Sequence, residues 1–296
     1  MNRKENNHKS IVMFISSMLI FGTIGVFRRS IPCSSAFLAF FRGILGGLFL
    51  LAFIRLKKKK AWEKLPKSLF LGLTVTGALI GVNWILLFEA FNYTTVAVAT
   101  LCYYMQPTIV MLLSPVIFRE KLTGRKAVCA AVAILGMVLV SGVIGGSGAG
   151  NSSLKGVLLG LGAAVFYSAV VIMNKKNRGI DAYRKTTVQM LSAGMVMMPY
   201  LLLTGGFGTE GLTPAAAVLL LAVGIVHTGI AYVLYFGSMD GLRVQTVAIL
   251  SYIDPVSALL FSAFLLREPV TLLNIIGAVM IIGSAVASEL QKPETL

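Results

Sequence analysis

Residues 104–123 read YMQPTIVMLLSPVIFREKLT, and residues 252–271 read YIDPVSALLFSAFLLREPVT. The two stretches lie 148 positions apart, half of the 296-residue chain. Tyr104 falls on Tyr252, Pro107 on Pro255, Leu112 on Leu260, Ser114 on Ser262, Arg119-Glu120 on Arg267-Glu268 and Thr123 on Thr271. Two unrelated apolar helices share Leu and Val by chance. They do not share a proline, a tyrosine and an Arg-Glu-x-x-Thr in one register. The chain is therefore expected to carry two copies of one unit, residues 1–148 and 149–296.

Composition says what kind of unit this is. Hydrophobic residues make up 57% and charged residues 12%, against roughly 25% charge in a soluble chain. The apolar residues fall in blocks of about 17 to 25, the length that crosses ~30 Å of hydrocarbon as a helix. Ten such blocks are read near 11–27, 36–54, 68–89, 93–118, 127–144, 155–173, 186–203, 215–236, 244–266 and 271–288. The fold class expected is an all-α integral membrane protein of ten spans. The first block follows Arg3, Lys4 and Lys9 but has no small-x-small cleavage site after it, so it is kept as a mature helix. The Gly- and Ser-rich stretch 142–154 reads as the linker between the halves.

The net charge of +15 invites a nucleic-acid reading, but its distribution argues otherwise. With a cytoplasmic N-terminus, the inner connections and both tails hold 21 of the 26 Lys and Arg, seven of them between Arg55 and Lys67. The outer connections hold four, Arg28, Arg29, Lys155 and Arg267, and Arg42 lies within a span. That asymmetry is what positive-inside insertion produces, with both termini cytoplasmic in the cell membrane. The basic run at 57–60 reads as an anchor on anionic lipid, not as a nucleic-acid patch.

Five spans per half is an odd number, so the second copy enters the membrane upside down relative to the first. Inverted repeats that meet at a midplane site are a transporter architecture, because two similar halves rocking about that site give two related open states. At this level the sequence resembles a known family. Asn83-Trp84, Glu89-Ala90, Tyr93-Thr94-Thr95, Pro107 and Glu120-Lys121-Leu122-Thr123 look like the first EamA domain of the drug/metabolite transporter superfamily. The second copy runs from Tyr232 through Tyr252-Ile253-Asp254-Pro255 to Glu268-Pro269-Val270-Thr271, with Pro269 where the first has Lys121. The resemblance implies a ten-helix carrier with a cavity between its halves, of a kind that often exports amino acids, nucleosides or other small metabolites.

Polar side chains inside the spans are the candidate site, since each is costly in hydrocarbon. Asp254 lies about 15 Å deep at ~1.5 Å per residue, just before Pro255, whose ring frees the Ser251 carbonyl. Its repeat-mate is Gln106, before Pro107. Asp254 and Gln106 are read either as substrate or ion ligands or as caps of the bent backbone. His227, also near mid-depth, is either a satisfied hydrogen-bonding side chain or, if it faces Asp254, half of a titrating pair that couples transport to protons. Trp84, Phe88, Tyr103, Tyr104, Tyr167, Tyr232 and Tyr252 cluster on the same spans; with Asn83 they fit a small-molecule cavity wall. Tyr93 and Tyr183 suit the membrane interface better. Arg42 and Glu89 both lie in the outer half, where an ion pair is expected, acting in helix packing, in substrate contact or as an outer gate. Glu120 and Glu268, each three residues before a Thr and a further helix, read as turns that cap the next span rather than as ligands. Gly43-x-x-x-Gly47, Gly77-x-x-x-Gly81 and Gly156-x-x-x-Gly160 give small faces for close helix packing.

The cysteines, Cys33, Cys102 and Cys129, have no metal-ligand spacing, and the chain holds two His; no metal or other cofactor is expected. No G-x-x-x-x-G-K-[ST] appears, which argues against direct ATP coupling. The expected function is a secondary carrier for a small polar or amphipathic metabolite, amino acid-like, running by alternating access. A lipid-linked substrate flippase is the alternative within transport. A membrane enzyme lacks H-E-x-x-H or G-x-S-x-G furniture, and a sensor lacks an output surface.

Overall fold

The computed structural model of the chain describes residues 3–56, 66–119, 123–140, 154–176, 180–204, 206–207, 212–239, 242 and 244–289. The basic run at 57–60, Glu120 and nearly all of the 142–154 linker lie outside them. The described elements are all helical: α1 (Arg3–Gly22), α2 (Ile24–Ser30), α3 (Ser35–Leu56), α4 (Lys67–Tyr93), α5 (Val96–Tyr103), α6 (Gln106–Phe118), α7 (Gly124–Val140), α8 (Leu154–Lys176), α9 (Ala182–Thr204) and α10 (Pro214–Ala222), followed by a π-helical segment (Val223–Ile230), α11 (Ala231–Met239), α12 (Val244–Ser251), α13 (Ile253–Leu265) and α14 (Leu272–Glu289). Among the described residues, seven helical stretches are long and apolar enough to cross a membrane: His8–Ser30, Ser35–Leu56, Lys67–Tyr93, Val96–Phe118, Leu154–Asn174, Ala182–Thr204 and Pro214–Met239. Ile253–Leu265 and Leu272–Ser288 are shorter apolar helices.

The duplicated stretches explain where helices break. Tyr104-Met105 separates α5 from α6, and Tyr252 separates α12 from α13. Pro107 and Pro255 then fall in the first turns of α6 and α13, where a missing N–H costs no intrahelical bond. The prolines thus begin a second half-helix rather than kink a continuous one. At the far ends, Arg119 (φ 56°) and Arg267 (φ 54°) adopt the left-handed conformation, alone among the described non-glycine residues. Such a residue terminates a helix. Thr123 then accepts from Lys126 N (3.4 Å) to cap α7, and Thr271 from Asn274 N (3.2 Å) to cap α14.

Packing follows the small residues. α3 lies along α9, α4 against α8 and α9, α7 along α14, and α1 against α11 and α13. A Cβ on Gly43 would sit 2.9 Å from Gly194 N, and one on Gly77 would sit 2.5 Å from the Gln189 carbonyl. One on Gly160 would sit 2.9 Å from Cys102 Cβ. Each of the three glycine pairs therefore marks a helix crossing where backbones touch. Large apolar side chains such as Leu203, Val116 and Phe264 point outward, as hydrocarbon solvent allows. Side chains of α3, α4, α8, α9 and the π segment form the main core, and a second cluster joins α5, α7, α8 and α14.

Candidate functional site

The two helix breaks meet. Tyr104, at the break between α5 and α6, donates its phenolic proton to Asp254 Oδ2 at 2.5 Å, on the first turn of α13. This bond joins the first half of the chain to the second at the point where each bends. Tyr103 stands edge-on to Tyr104 with centroids 5.7 Å apart and meets Tyr167 at 5.5 Å. Asp254 lies within electrostatic reach of Tyr103, Tyr104, Tyr167 and Tyr232. The Asp254 carboxyl group thus lies among phenols and is hydrogen-bonded by one of them.

A second polar centre lies beside it. Arg42 is buried, at 6% exposure. Its Nε donates to Thr228 Oγ1 (3.2 Å), and its guanidinium carbon lies 4.0 Å from the Trp84 ring centroid and 5.5 Å from that of Phe88. Tyr103 and Tyr232 lie within electrostatic reach of both Arg42 and Asp254.

The expected Arg42–Glu89 ion pair does not form. Glu89 Oε2 accepts from Ser35 Oγ (2.8 Å) and Asn92 Nδ2 (3.1 Å). Ser35 and Asn92 in turn take Arg28 Nη2 at 3.2 and 3.4 Å. Arg42 and Glu89 point in different directions, and Arg28 is the arginine that joins the Glu89 network. Nor does His227 pair with Asp254. Its Nε2 shares a proton with Thr23 Oγ1 at 2.8 Å, at the break between α1 and α2, and its ring stands edge-on to Phe27. Its Nδ1 lies near the Ala222 carbonyl, short of full hydrogen-bond geometry.

Arg42 and His227 both involve the π segment. A π turn inserts an extra residue and is frequent at functional sites. It aims His227 at α1 and its neighbour Thr228 at Arg42, while Thr228 Oγ1 also donates to the Val223 carbonyl five residues back. No sequence signal marks it beyond Gly224 and Gly229, which receive Leu45 and Phe49 from α3.

Asn83, Gln106 and Tyr252 have distinct surroundings. Asn83 Nδ2 donates to the Ala163 carbonyl at 2.6 Å and is 1% exposed, so it pins α4 to α8. Gln106 supplies its carbonyl to Ser168 Oγ (3.2 Å). Tyr252, the repeat-mate of Tyr104, lines a groove of about 310 Å³ with Leu19, Ile253, Val256, Ser257 and Leu260, between α1 and α13. An Asn83→Ala variant is expected to lose about 1–2 kcal/mol of stability through the missing buried hydrogen bond. Substrate KM should stay within twofold of wild type; thermal unfolding in detergent and flux kinetics check the two halves of that statement.

Glu268 does more than close a turn. Its Oε2 accepts from Val96 N (2.7 Å), at the start of α5, and from Ser262 Oγ (2.5 Å). Its Oε1 pairs with Arg29 Nη2 at 3.0 Å, and Arg29 also donates to the Thr94 carbonyl (2.9 Å). Within that turn the cap of the next helix is supplied by Thr271. Glu268 ties α13 back onto α5 and α2. A partly exposed ion pair is worth at most ~1 kcal/mol, whereas hydrogen bonds to a charged group are worth ~1.5–3 kcal/mol. Glu268→Ala is accordingly expected to cost ~2–3 kcal/mol and Arg29→Ala about 1 kcal/mol, ranked by thermal unfolding.

Of the cysteines, Cys102 and Cys129 are buried, and all three are free thiols. Burial pushes the Cys33 thiol up, against the pull of Arg28. Among the described residues no three His, Cys, Asp or Glu side chains gather to hold a metal ion.

Known proteins match this architecture. A family model described as the EamA-like transporter family matches twice, at residues 8–142 and 154–288. "Uncharacterized transporter YxxF" of Bacillus subtilis (strain 168) is 28% identical over 273 residues, 92% of this chain and 86% of that protein. An "Uncharacterized transporter" of Archaeoglobus fulgidus is 26% identical, covering 91% and 92% of the two chains. Protein PecM of Dickeya dadantii (strain 3937) is 28% identical over 72% of each. A solved crystal structure superposes with a TM-score of 0.67 at 17% identity over 94% of this chain and 96% of its own, a likeness of fold. With its helices long and apolar enough for a bilayer and both family matches spanning nearly its whole length, the chain belongs to the EamA-like transporter family, as a multi-pass membrane protein of the drug/metabolite transporter type.

Proposed function

We propose that the chain is a secondary carrier that moves a small polar or amphipathic metabolite, amino acid-like in size and polarity, across the cytoplasmic membrane by alternating access, most simply in export. In this reading it crosses the bilayer ten times as two inverted five-span halves, 1–148 and 149–296, with both termini cytoplasmic. The short α7, the broken pair α12–α13 and α14 complete the ten. Its sequence-matched partners recur in matched roles: the breaks at Tyr104 and Tyr252, and the left-handed Arg119 and Arg267.

The observation that carries the proposal is the Tyr104–Asp254 bond. A carrier needs a polar site at the seam of two bodies that part and re-form, held by elements able to bend. The bond lies between halves and at both bends. A thermal-shift screen of the purified protein against amino acids, nucleosides and sugars tests the reading, followed by uptake of each stabilising compound into proteoliposomes. Saturable uptake of a stabilising compound is the expected result. Stabilisation with no flux above protein-free vesicles for any of them overturns it.

The lateral groove supports a second reading, movement of a lipid-linked substrate between leaflets. Its apolar lining of Leu19, Ile253, Val256 and Leu260 suits an acyl chain. Protein-dependent translocation of headgroup-labelled lipid in vesicles, without solute uptake, is the outcome that favours it.

A further inference from the structure

We infer that Arg42 is the recognition point for an anionic group of the solute, and that this group is a carboxylate. The inference rests on the carrier reading and names the chemistry of its substrate.

Arg42 carries a full positive charge in the seam, because a guanidinium does not give up its proton in proteins. Among the described residues no carboxylate neutralises it. The ion pair there is Arg29–Glu268; Glu89 is engaged by Ser35 and Asn92, and Asp254 by Tyr104. Of its five N–H donors, one is committed among the described residues, Nε to Thr228. The groups that face it are Trp84 and Phe88 from α4, Tyr103 from α5, and His227, Thr228 and Tyr232 from the eighth span. Aromatic faces attract a cation but do not discharge it. A charge so buried and so lightly bonded is costly without an anionic partner, and its uncommitted N–H donors suit it to bind one, whereas a structural arginine in the same place would have its fork filled.

Shape and charge then select the anion. The free edge of a guanidinium matches a carboxylate with two parallel hydrogen bonds. One arginine neutralises one negative charge. A phosphate dianion would keep one unneutralised negative charge in this buried site, which is costly. The aromatic walls favour an apolar body on the same molecule.

Trp84 provides a readout that does not depend on transport. The chain has two tryptophans, so a Trp62→Phe variant in nanodiscs reports Trp84 alone. It is titrated with phenylacetate, benzoate, hexanoate and succinate, each against its neutral amide, and with phenyl phosphate. At least one carboxylate is expected to change the emission saturably at a tenfold or lower concentration than its amide, and phenyl phosphate to bind more weakly than that carboxylate. Arg42→Gln in the same background should erase the preference and Arg42→Lys should keep a reduced one. Equal response to acid and amide throughout, or a preference that survives Arg42→Gln, overturns the inference. Where Arg42→Gln does not fold, the acid–amide comparison on the Arg42 protein decides alone. A carboxylate preference without flux sinks the carrier reading and leaves the site; flux of a neutral solute with no carboxylate preference does the reverse.

Discussion

An Asp254→Asn variant is expected to fold with near wild-type thermal stability and to lose at least tenfold in transport rate. The amide oxygen of Asn still accepts from Tyr104, so the bond that joins the two breaks survives in geometry. What disappears is the capacity to ionise and so to take up and release a proton. A tenfold loss corresponds to about 1.4 kcal/mol, a modest demand on a carboxyl group in a site with few other polar groups. Tyr104→Phe makes the complementary cut, leaving the carboxyl group and removing its donor. Because the two groups touch, the double variant should fall short of the summed single effects by about 1–3 kcal/mol. Flux from pH 5 to 9 is the measurement. Unchanged rate and unchanged pH profile in Asp254→Asn remove the carboxylate from the mechanism.

The largest effect on stability is expected at Gly77. Even an Ala there brings Cβ to 2.5 Å from the Gln189 carbonyl and 2.6 Å from Ser192 Cβ. The obstruction is partly backbone, so α4 and α9 must separate. Overpacking of this kind costs typically 1–3 kcal/mol and occasionally more, and Gly77→Ala should lie at or above the top of that range. The same seam carries Gln189, whose amide donates to Thr76 Oγ1 and Asn174 Oδ1, both at 2.8 Å, so separation also strains a buried network. Gly283 supplies the control. A Cβ there meets nothing within 4 Å, and Ala is the better helix former by ~1 kcal/mol. Gly283→Ala should therefore raise the thermal midpoint in detergent while Gly77→Ala lowers it. A neutral Gly77→Ala contradicts the close crossing.

These residues also divide what the sequence discloses from what it conceals. Depth along a span follows from counting, so Asp254 and Tyr104 were legible as neighbours of two matching breaks. The glycine pairs were legible because only a side chain of that size permits backbone contact. Direction around a helix is harder to read. Counting along the spans puts Arg42 and Glu89 near one level, yet Arg42 meets the π segment while Glu89 turns to Ser35 and Asn92. His227 is misaimed for the same reason in sharper form, since the extra residue in Val223–Ile230 rotates the face that α-helical periodicity assigns. Asn83 looked like a cavity lining because it is polar and central; a short amide side chain is equally suited to a neighbouring carbonyl, and Ala163 provides one. Tyr104 and Tyr252 match in sequence but not in surroundings, one bonded in the seam and one beside a lateral groove. Duplication fixes the kind of residue, while the conformation adopted decides what each copy touches.

Two-sided accessibility of the seam tests the central claim most directly. With Cys33, Cys102 and Cys129 replaced by Ala and Tyr103 by Cys, the single thiol lies next to the Tyr104–Asp254 bond. Sealed proteoliposomes of fixed orientation are treated with a membrane-impermeant thiol reagent, either outside only or enclosed inside only. A carrier whose halves part alternately is labelled at position 103 from both sides. Labelling from one side alone, or from neither under conditions that label a denatured control, contradicts it.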